Sequence, residues 1–343
     1  MKILVTGDRG YIGSVLMGML LDKGYEIVGY DIDYYEQNYL HPVDYSYKKV
    51  SKDIRDIVLE DVEGFDAIIH LAGLSNDPLG ALDPRLTEEI NYHGTVNLAR
   101  LAKKAGVKRF IYSSSQSMYG VSNTDTEMDE DNSEKNPVTV YAKTKWKAEL
   151  KLREMGDRQF TVVSFRPSTV FGASRMLRCD IVYNSLVGCA YTTGKIEIKS
   201  DGTPWRPVVH VRDVSSAYIA GLEAPHEVVA NQSFNVGIPN GNFTVRDLAE
   251  AAQRVVEGSH LIFTGEHGSD SRTYRVSFKK ILTVLKDYFK PEWDLIRGGE
   301  ELVSFFQKIN FTEEQFRGRM TNRLKQLEYM IQSHQIDNEL RRK

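Results

Sequence analysis

Tyr141 and Lys145 stand four residues apart in YAKTK, a spacing that puts both on one face of a helix. A phenol beside an ammonium is acid–base machinery. Tyrosine ordinarily titrates near 10, so acting as a base near pH 7 requires lowering that value by about 3, roughly 4 kcal/mol, and Lys145 is a source of stabilising charge. An apolar run, Arg109-Phe110-Ile111-Tyr112, precedes the pair and ends in Ser113-Ser114-Ser115, a strand with a polar tip. Tyr45 and Lys49 repeat the spacing in a polar segment without such a strand and read as surface.

A second constellation lies at the N-terminus. In TGDRGYIG, Gly7, Gly10 and Gly13 follow the run Lys2-Ile3-Leu4-Val5 and precede a helical pattern over Tyr11 to Lys23. A strand that turns tightly into a helix presents free amides at the turn. Glycines there let a pyrophosphate approach the backbone and let the helix pack on the strand, with Tyr11 and Ile12 against the ligand. Asp31 closes the next strand, 24 residues after Gly7. Its carboxylate suits both adenosine ribose hydroxyls and repels a 2′-phosphate, which favours NAD over NADP. Asp53, followed by Ile54, either holds the adenine amino group or is a solvated loop acid.

The elements that must position these groups alternate in type. Strand patterns at 2–5, 26–30, 67–71, 109–112 and 161–165 are separated by helical ones, including 86–105 and a helix opened by Asn136-Pro137 that carries Tyr141. That alternation implies right-handed crossovers and an α/β fold with a Rossmann-like, doubly wound parallel sheet. Beyond about residue 170, short runs such as Pro207–Val211 and helices such as Val245–Val256 indicate a smaller mixed α/β lobe. The expected division is 1–166, 167–310 with segments returning to the first unit, and a tail, 311–343, read as one amphipathic helix through Phe316, Met320, Leu324, Leu327 and Ile331. Segment 122–137 reads as a solvated acidic loop.

Composition narrows the classes. The 343 residues carry 44 basic and 47 acidic side chains, net -3, against a nucleic-acid binder. Cys179 and Cys189 form no disulfide framework, no run spans a bilayer, and no cluster has metal-ligand spacing, so a soluble cytoplasmic protein without a metal is expected.

Together TGDRGYIG, Asp31, HLAG at 70–73, Asn91 in NYHGT, SSSQSMYG at 113–120 and YAKTK resemble the extended short-chain dehydrogenase/reductase superfamily, and within it the NAD-dependent nucleotide-sugar epimerases and dehydratases. FRPSTVFG at 165–172, GTPWRPVVHVRDV at 202–214 and SDSRTYRV at 269–276 extend the likeness over most of the chain. The resemblance implies that phenolate Tyr141 takes a proton from a sugar hydroxyl while hydride passes to NAD, that Ser115 bonds the same oxygen, and that Lys145 also holds the nicotinamide ribose. It further implies that Leu71, Ala72, Gly73, Asn91 and Ser113 line the cofactor and that Arg166 lies near the nicotinamide, whereas His70 reads as packed in the strand end.

By the same resemblance, Ser75, Ser115, Gln116, Ser117, Thr169, Asn184, Arg206 and Arg272 bind a nucleotide-diphosphate sugar, the two arginines gripping its pyrophosphate. Family dehydratases carry Thr-Asp-Glu beginning at the position of Ser115, and decarboxylases a Glu at that of Ser117; here Ser115-Gln116-Ser117 has neither carboxylate. A 4-epimerase leads, with a 4-dehydrogenase or ketoreductase, or an atypical dehydratase, using the same triad as alternatives. An inactive NAD-binding sensor or scaffold is the reading from another class, against which both Tyr141 and Lys145 are retained. Relatives commonly pair through the YxxxK helix and the one before it, so a homodimer through Leu98, Leu101, Ala102, Trp146 and Leu150 is expected.

Overall fold

The computed structural model describes residues 1–42, 46–122, 124–198, 200–263 and 273–343. The first strands are β1 (Lys2–Thr6), β2 (Glu26–Asp31), β3 (Lys48–Ser51), β4 (Ala67–His70), β5 (Arg109–Ser113) and β6 (Thr161–Pro167). There follow β7 (Thr169–Phe171), β8 (Lys195–Ile198), β9 (Trp205–His210), β10 (Gln232–Val236), β11 (Asn242–Thr244) and β12 (His260–Phe263). Seven of them form one sheet in the order β10-β6-β5-β4-β1-β2-β3, with every neighbouring pair parallel. The strand order reverses between β1 and β4, and ligand clefts of open parallel sheets form at such a point. A smaller lobe carries the mixed sheet β11-β9-β7 and the pair β12-β8.

The pleat explains the layering. Ile3 and Val5 of β1 face Leu16, Leu20, Val214 and Tyr218 on one side of the sheet, while Leu4 faces Ile68, Leu98 and Phe110 on the other. Both faces are apolar because helices cover both, as a parallel sheet requires. A third cluster, with Phe171, Tyr183, Val187, Leu248, Leu302 and Phe306, forms the core of the smaller lobe. Strand β10, from the chain beyond residue 170, returns to close the edge of the main sheet beside β6.

Several expectations are corrected. The tail is two helices, Glu313–Arg317 and Arg323–Gln332, because Gly318 ends the first in an extended conformation and Asn322 caps the second. Its core residues are Leu327, Met330, Ile336 and Leu340, packed on the β1–β4 face, and Phe311, in the core of the smaller lobe. Segment 122–137 is not wholly solvated: Met128 bridges to Val276, and buried Glu130 accepts the Asn235 amide at 2.7 Å. Leu98, Leu101 and Ala102 are buried within the chain and Trp146 packs on its core, so of the residues expected at a dimer face only Leu150 is exposed, among Lys147, Lys151 and Glu154. Tyr45 lies outside the described residues; Lys49 is exposed.

Candidate active site

One cleft of about 450 Å³ runs from the glycine turn to Tyr141 and on to Arg206. At the turn, Gly7 has φ +76°, and a Cβ there would stand 2.7 Å from the Ala72 amide nitrogen. A Cβ on Gly13 would stand 2.1 Å from the Gly7 carbonyl oxygen. Only glycine lets the turn, the strand end at Leu71-Ala72 and the helix Gly13–Asp22 meet so closely. Among the described residues no side chain caps that helix; the Ser14 and Val15 amides are spent on the Gly10 and Ile12 carbonyls, so the donors offered to an anion are those of the turn that leads into it.

Asp31 lines the cleft at the end of β2, its Oδ1 accepting the Asp33 amide at 2.7 Å, and burial raises its pKa. Nearby Arg9 is already engaged: it donates to Asp33 Oδ2 at 2.7 Å, Ser51 Oγ at 2.9 Å and the carbonyls of Asp31 and Val50 at 2.6 and 2.9 Å. A 2′-phosphate would therefore meet a carboxylate and an Arg9 whose two terminal nitrogens are already spent, whereas free ribose hydroxyls fit. Gly10, Tyr11, Ile12, Asp53, Ile54, Leu71, Ala72, Gly73 and Ser113 all line the same cleft. Asp53 is neither adrift nor simply solvated: it caps the following turn and holds Arg55 at 2.6 Å.

At the other end of the cleft, helix Val140–Met155 starts at Thr139, whose hydroxyl accepts the Ala142 amide and donates to Asp77. The helix begins after Asn136-Pro137 rather than on it. Lys145 is buried and donates from Nζ to the Ser113 carbonyl at 2.8 Å; burial lowers its pKa to about 8. Burial pushes Tyr141 up to about 12, opposed by a hydrogen bond with Ser115 and by the Arg178 charge. Ser115 also bonds Ser117 Oγ at 2.9 Å. The phenol, Ser115 and Lys145 thus share one wall, reached from the glycine turn without leaving the cleft.

Comparison with known proteins bears on this arrangement. The profile of the NAD dependent epimerase/dehydratase family matches residues 3–237. The chain belongs to that family. UDP-glucose 4-epimerase of Bacillus subtilis (strain 168) is 30% identical over 301 residues, 74% of this chain and 82% of its own. The dTDP-D-glucose 4,6-dehydratase of Mus musculus is also 30% identical, over 328 residues, 90% of this chain and 89% of its own. A solved UDP-glucuronic acid 4-epimerase from Bacillus cereus, in complex with UDP-glucuronic acid and NAD, superposes with a TM-score of 0.75 at 21% identity, covering 90% of this chain and all of the other. As a member of the NAD-dependent epimerase/dehydratase family, the protein uses NAD and modifies nucleotide sugars.

Within this family enzyme some expected site residues are displaced. Arg166 does not line the cleft: wholly buried, it donates from Nη2 to Glu149 at 2.5 Å and from Nη1 to Tyr119 at 2.9 Å. Asn91 sits behind the cofactor wall, clamping Leu74 through both its amide and its carbonyl at 2.8 and 3.0 Å. Gln116 turns inward to the Arg166 carbonyl, and Asn184 is spent on the Gly172 amide, the Tyr11 hydroxyl and the Arg178 carbonyl. His70 is packed between Thr6 and Thr95, and burial lowers its pKa to about 3. Ser75, Ser115, Ser117, Thr169 and Arg206 do line the cleft. Arg272 lies outside the described residues.

Sequence reasoning assigned no site role to Arg178, Asp180, Asp77, Tyr274 and Arg323, all of which line the cleft. Arg178 grips Asp180 with Nε and Nη2 at 2.8 and 3.0 Å and reaches Ser75 Oγ at 3.1 Å. Neither arginine carries a local sequence signal: Arg178 meets Ser75 only across the fold, and Arg323 lies on the far tail.

Proposed function

We propose that the protein is a nucleotide-sugar 4-epimerase working through a 4-keto sugar. In this reading Gly7, Gly10 and Gly13 cradle the NAD diphosphate, Asp31 takes the adenosine ribose hydroxyls, and Lys145 takes the nicotinamide ribose. Bound there, NAD supplies a reversible hydride acceptor beside the sugar carbon and, when oxidised, a positive charge that lowers the phenol's pKa. Tyr141 takes the proton of the 4-hydroxyl as the C4–O bond gains double-bond character, and Ser115 holds that oxygen. The ketone then turns over in the cleft, and Tyr141 returns the proton to the same oxygen when the opposite face is reduced. Arg206 and Arg178 set the charge against which the substrate's diphosphate is held.

The observation that carries this reading is the triad's neighbour. Ser117, not a carboxylate, faces the cleft beside Ser115, and Gln116 is turned into the core. Elimination needs an acid and a base there, whereas epimerisation needs only Ser115, Tyr141 and Lys145. Asp77 is the observation on the other side, a carboxylate close enough to raise the Tyr141 pKa.

The test is NMR of the NAD-loaded protein with UDP-, GDP-, CDP- and dTDP-hexoses in deuterated water. A 4-epimer without deuterium on the ring supports the proposal, because hydride travels on the cofactor and never meets solvent. Deuterium at C5 with a 4-keto product means dehydration, carbon dioxide from a nucleotide hexuronate added to the set means decarboxylation, and stoichiometric NADH with released ketone means dehydrogenation. Any of these overturns it, as does NAD retention with no turnover of any sugar.

A further inference from the structure

Arg323 is the first residue of the tail helix Arg323–Gln332, 310 residues beyond Gly13 in sequence, yet it lines the same cleft. It is 2% exposed. Its Nη2 donates to the Met176 carbonyl at 2.7 Å and its guanidinium lies 4.3 Å from the centre of the Tyr35 ring. Among the described residues, Nη1 has no hydrogen-bond partner. Asp180, which also faces the Arg323 backbone amide, is occupied on both oxygens by the Arg178 side chain and is shared with Asn76. A buried guanidinium with an unmet donor calls for an anion. It lines the cleft together with Asp31, at the end of β2, and with Arg178, which reaches Ser75.

Residues 311–318 pack on the smaller lobe through Phe311 and Phe316, and from Arg319 on the tail is fastened to the loops that border the adenosine end. Tyr34 Oη donates to the Leu340 carbonyl at 2.6 Å, and Asn38 Nδ2 donates to the Arg319 carbonyl at 2.8 Å. Arg55 donates to the Glu339 carbonyl at 2.8 Å, Arg341 pairs with Asp53 at 3.2 Å and with Asp56, and Arg342 donates to the Ile32 carbonyl at 2.9 Å. Leu327, Met330, Ile336 and Leu340 anchor it in the core beneath.

We infer that residues 319–343 are a strap over the adenosine half of the cofactor cleft, and that Arg323 binds the diphosphate of NAD, closing a site the glycine turn opens. The inference rests on the family's use of NAD and not on which sugar reaction follows. A strap that must lift before the dinucleotide leaves makes exchange slow.

The experiment measures binding by the full chain stripped of cofactor. Arg323→Gln weakens NAD and ADP-ribose at least tenfold, Arg323→Lys recovers most of that, and adenosine, which has no phosphate, binds all three proteins alike. Affinity for UDP, measured on NAD-loaded protein, is unchanged. NAD affinity within twofold of the parent overturns the inference. So does an equal loss for adenosine, which would mean that Arg323 only shapes the pocket, or a loss confined to UDP, which would assign the guanidinium to the sugar nucleotide. Arg341→Ala with Arg342→Ala, at partly exposed positions, tests the strap whether or not Arg323→Gln folds: a tenfold faster release of bound NAD is expected, and an unchanged release rate sinks it.

Discussion

Lys145 donates to the carbonyl oxygen of Ser113 across 2.8 Å, tying the helix that carries Tyr141 to the tip of β5. The same strand tip leads directly into Ser115, which lines the cleft with Tyr141 and lowers the phenol's pKa. One lysine therefore sets the register between the two elements that supply the base and its partner. Such a fixed relation matters because a proton transfer tolerates little displacement of the donor.

Replacing Tyr141 by phenylalanine removes the proton acceptor and leaves the ring. Turnover of a nucleotide sugar falls by about 10²–10⁴, while NAD content stays that of the parent because the glycine turn and Asp31 are untouched. Single-turnover kinetics with cofactor absorbance checks both. Undiminished turnover with NAD in place would remove Tyr141 from the chemistry.

Lys145 gives a prediction with opposite signs for stability and activity. Burial holds its folded pKa at about 8, below the ~10.4 of an unfolded chain. Between those values the unfolded state binds more protons, so the contribution of this group to stability rises with pH across that window. Below pH 8 its burial cost is fully present, roughly 3 kcal/mol. Lys145→Met is therefore inactive yet more stable than the parent at pH 7, and that advantage shrinks as pH approaches 10. Denaturant midpoints at pH 7, 9 and 10 measure it; a gap that stays constant or widens contradicts the assignment.

The sheet, the glycine turn, Asp31 and the YxxxK helix were legible in the sequence because each rests on local spacing: period-two runs ended by glycines, or two side chains one helical turn apart. Residues matched by motif alone fared differently. Arg166, Gln116 and Asn184 occupy the expected places in the chain, but their side chains turn inward to satisfy buried partners, and alternation along a short strand or turn does not reveal that. Asn91 sits in a π-helical turn, Glu89–Gly94, inside the long helical run, which rotates it against Leu74 rather than into the cleft. Arg178 and Arg323 reach the site only through tertiary contact across 103 and 147 residues, to Ser75 and Met176 respectively. The tail's break at Gly318 escaped the periodicity of its apolar residues, which runs through the turn without a change of step.

Arg166 and Glu149 form a fully buried ion pair that Ser114, Ser233 and Tyr119 complete with hydrogen bonds. Removing one partner leaves an uncompensated charge, so Arg166→Leu costs about 3–5 kcal/mol of stability. The fraction that remains folded binds NAD as the parent does, because Arg166 does not line the cleft. Thermal unfolding and NAD titration separate the two effects. A large loss of NAD affinity without destabilisation would return Arg166 to the nicotinamide site.

Asp77 decides how far the epimerase reading extends. It accepts a hydrogen bond from Thr139, the cap of the catalytic helix, and its charge raises the Tyr141 pKa. If its work is electrostatic and positional, Asp77→Asn keeps the cap's hydrogen-bond acceptor and removes the negative charge. The Tyr141 pKa then falls, and the acid limb of the pH–rate profile moves to lower pH with the maximal rate within a few-fold of the parent. An acid or base in an elimination would behave otherwise, because asparagine can neither give nor take the proton, and turnover would drop by about 10² or more at every pH. The direction of the limb, measured over pH 5–9 with the sugar identified by NMR, separates a carboxylate that tunes the phenol from one that does chemistry itself.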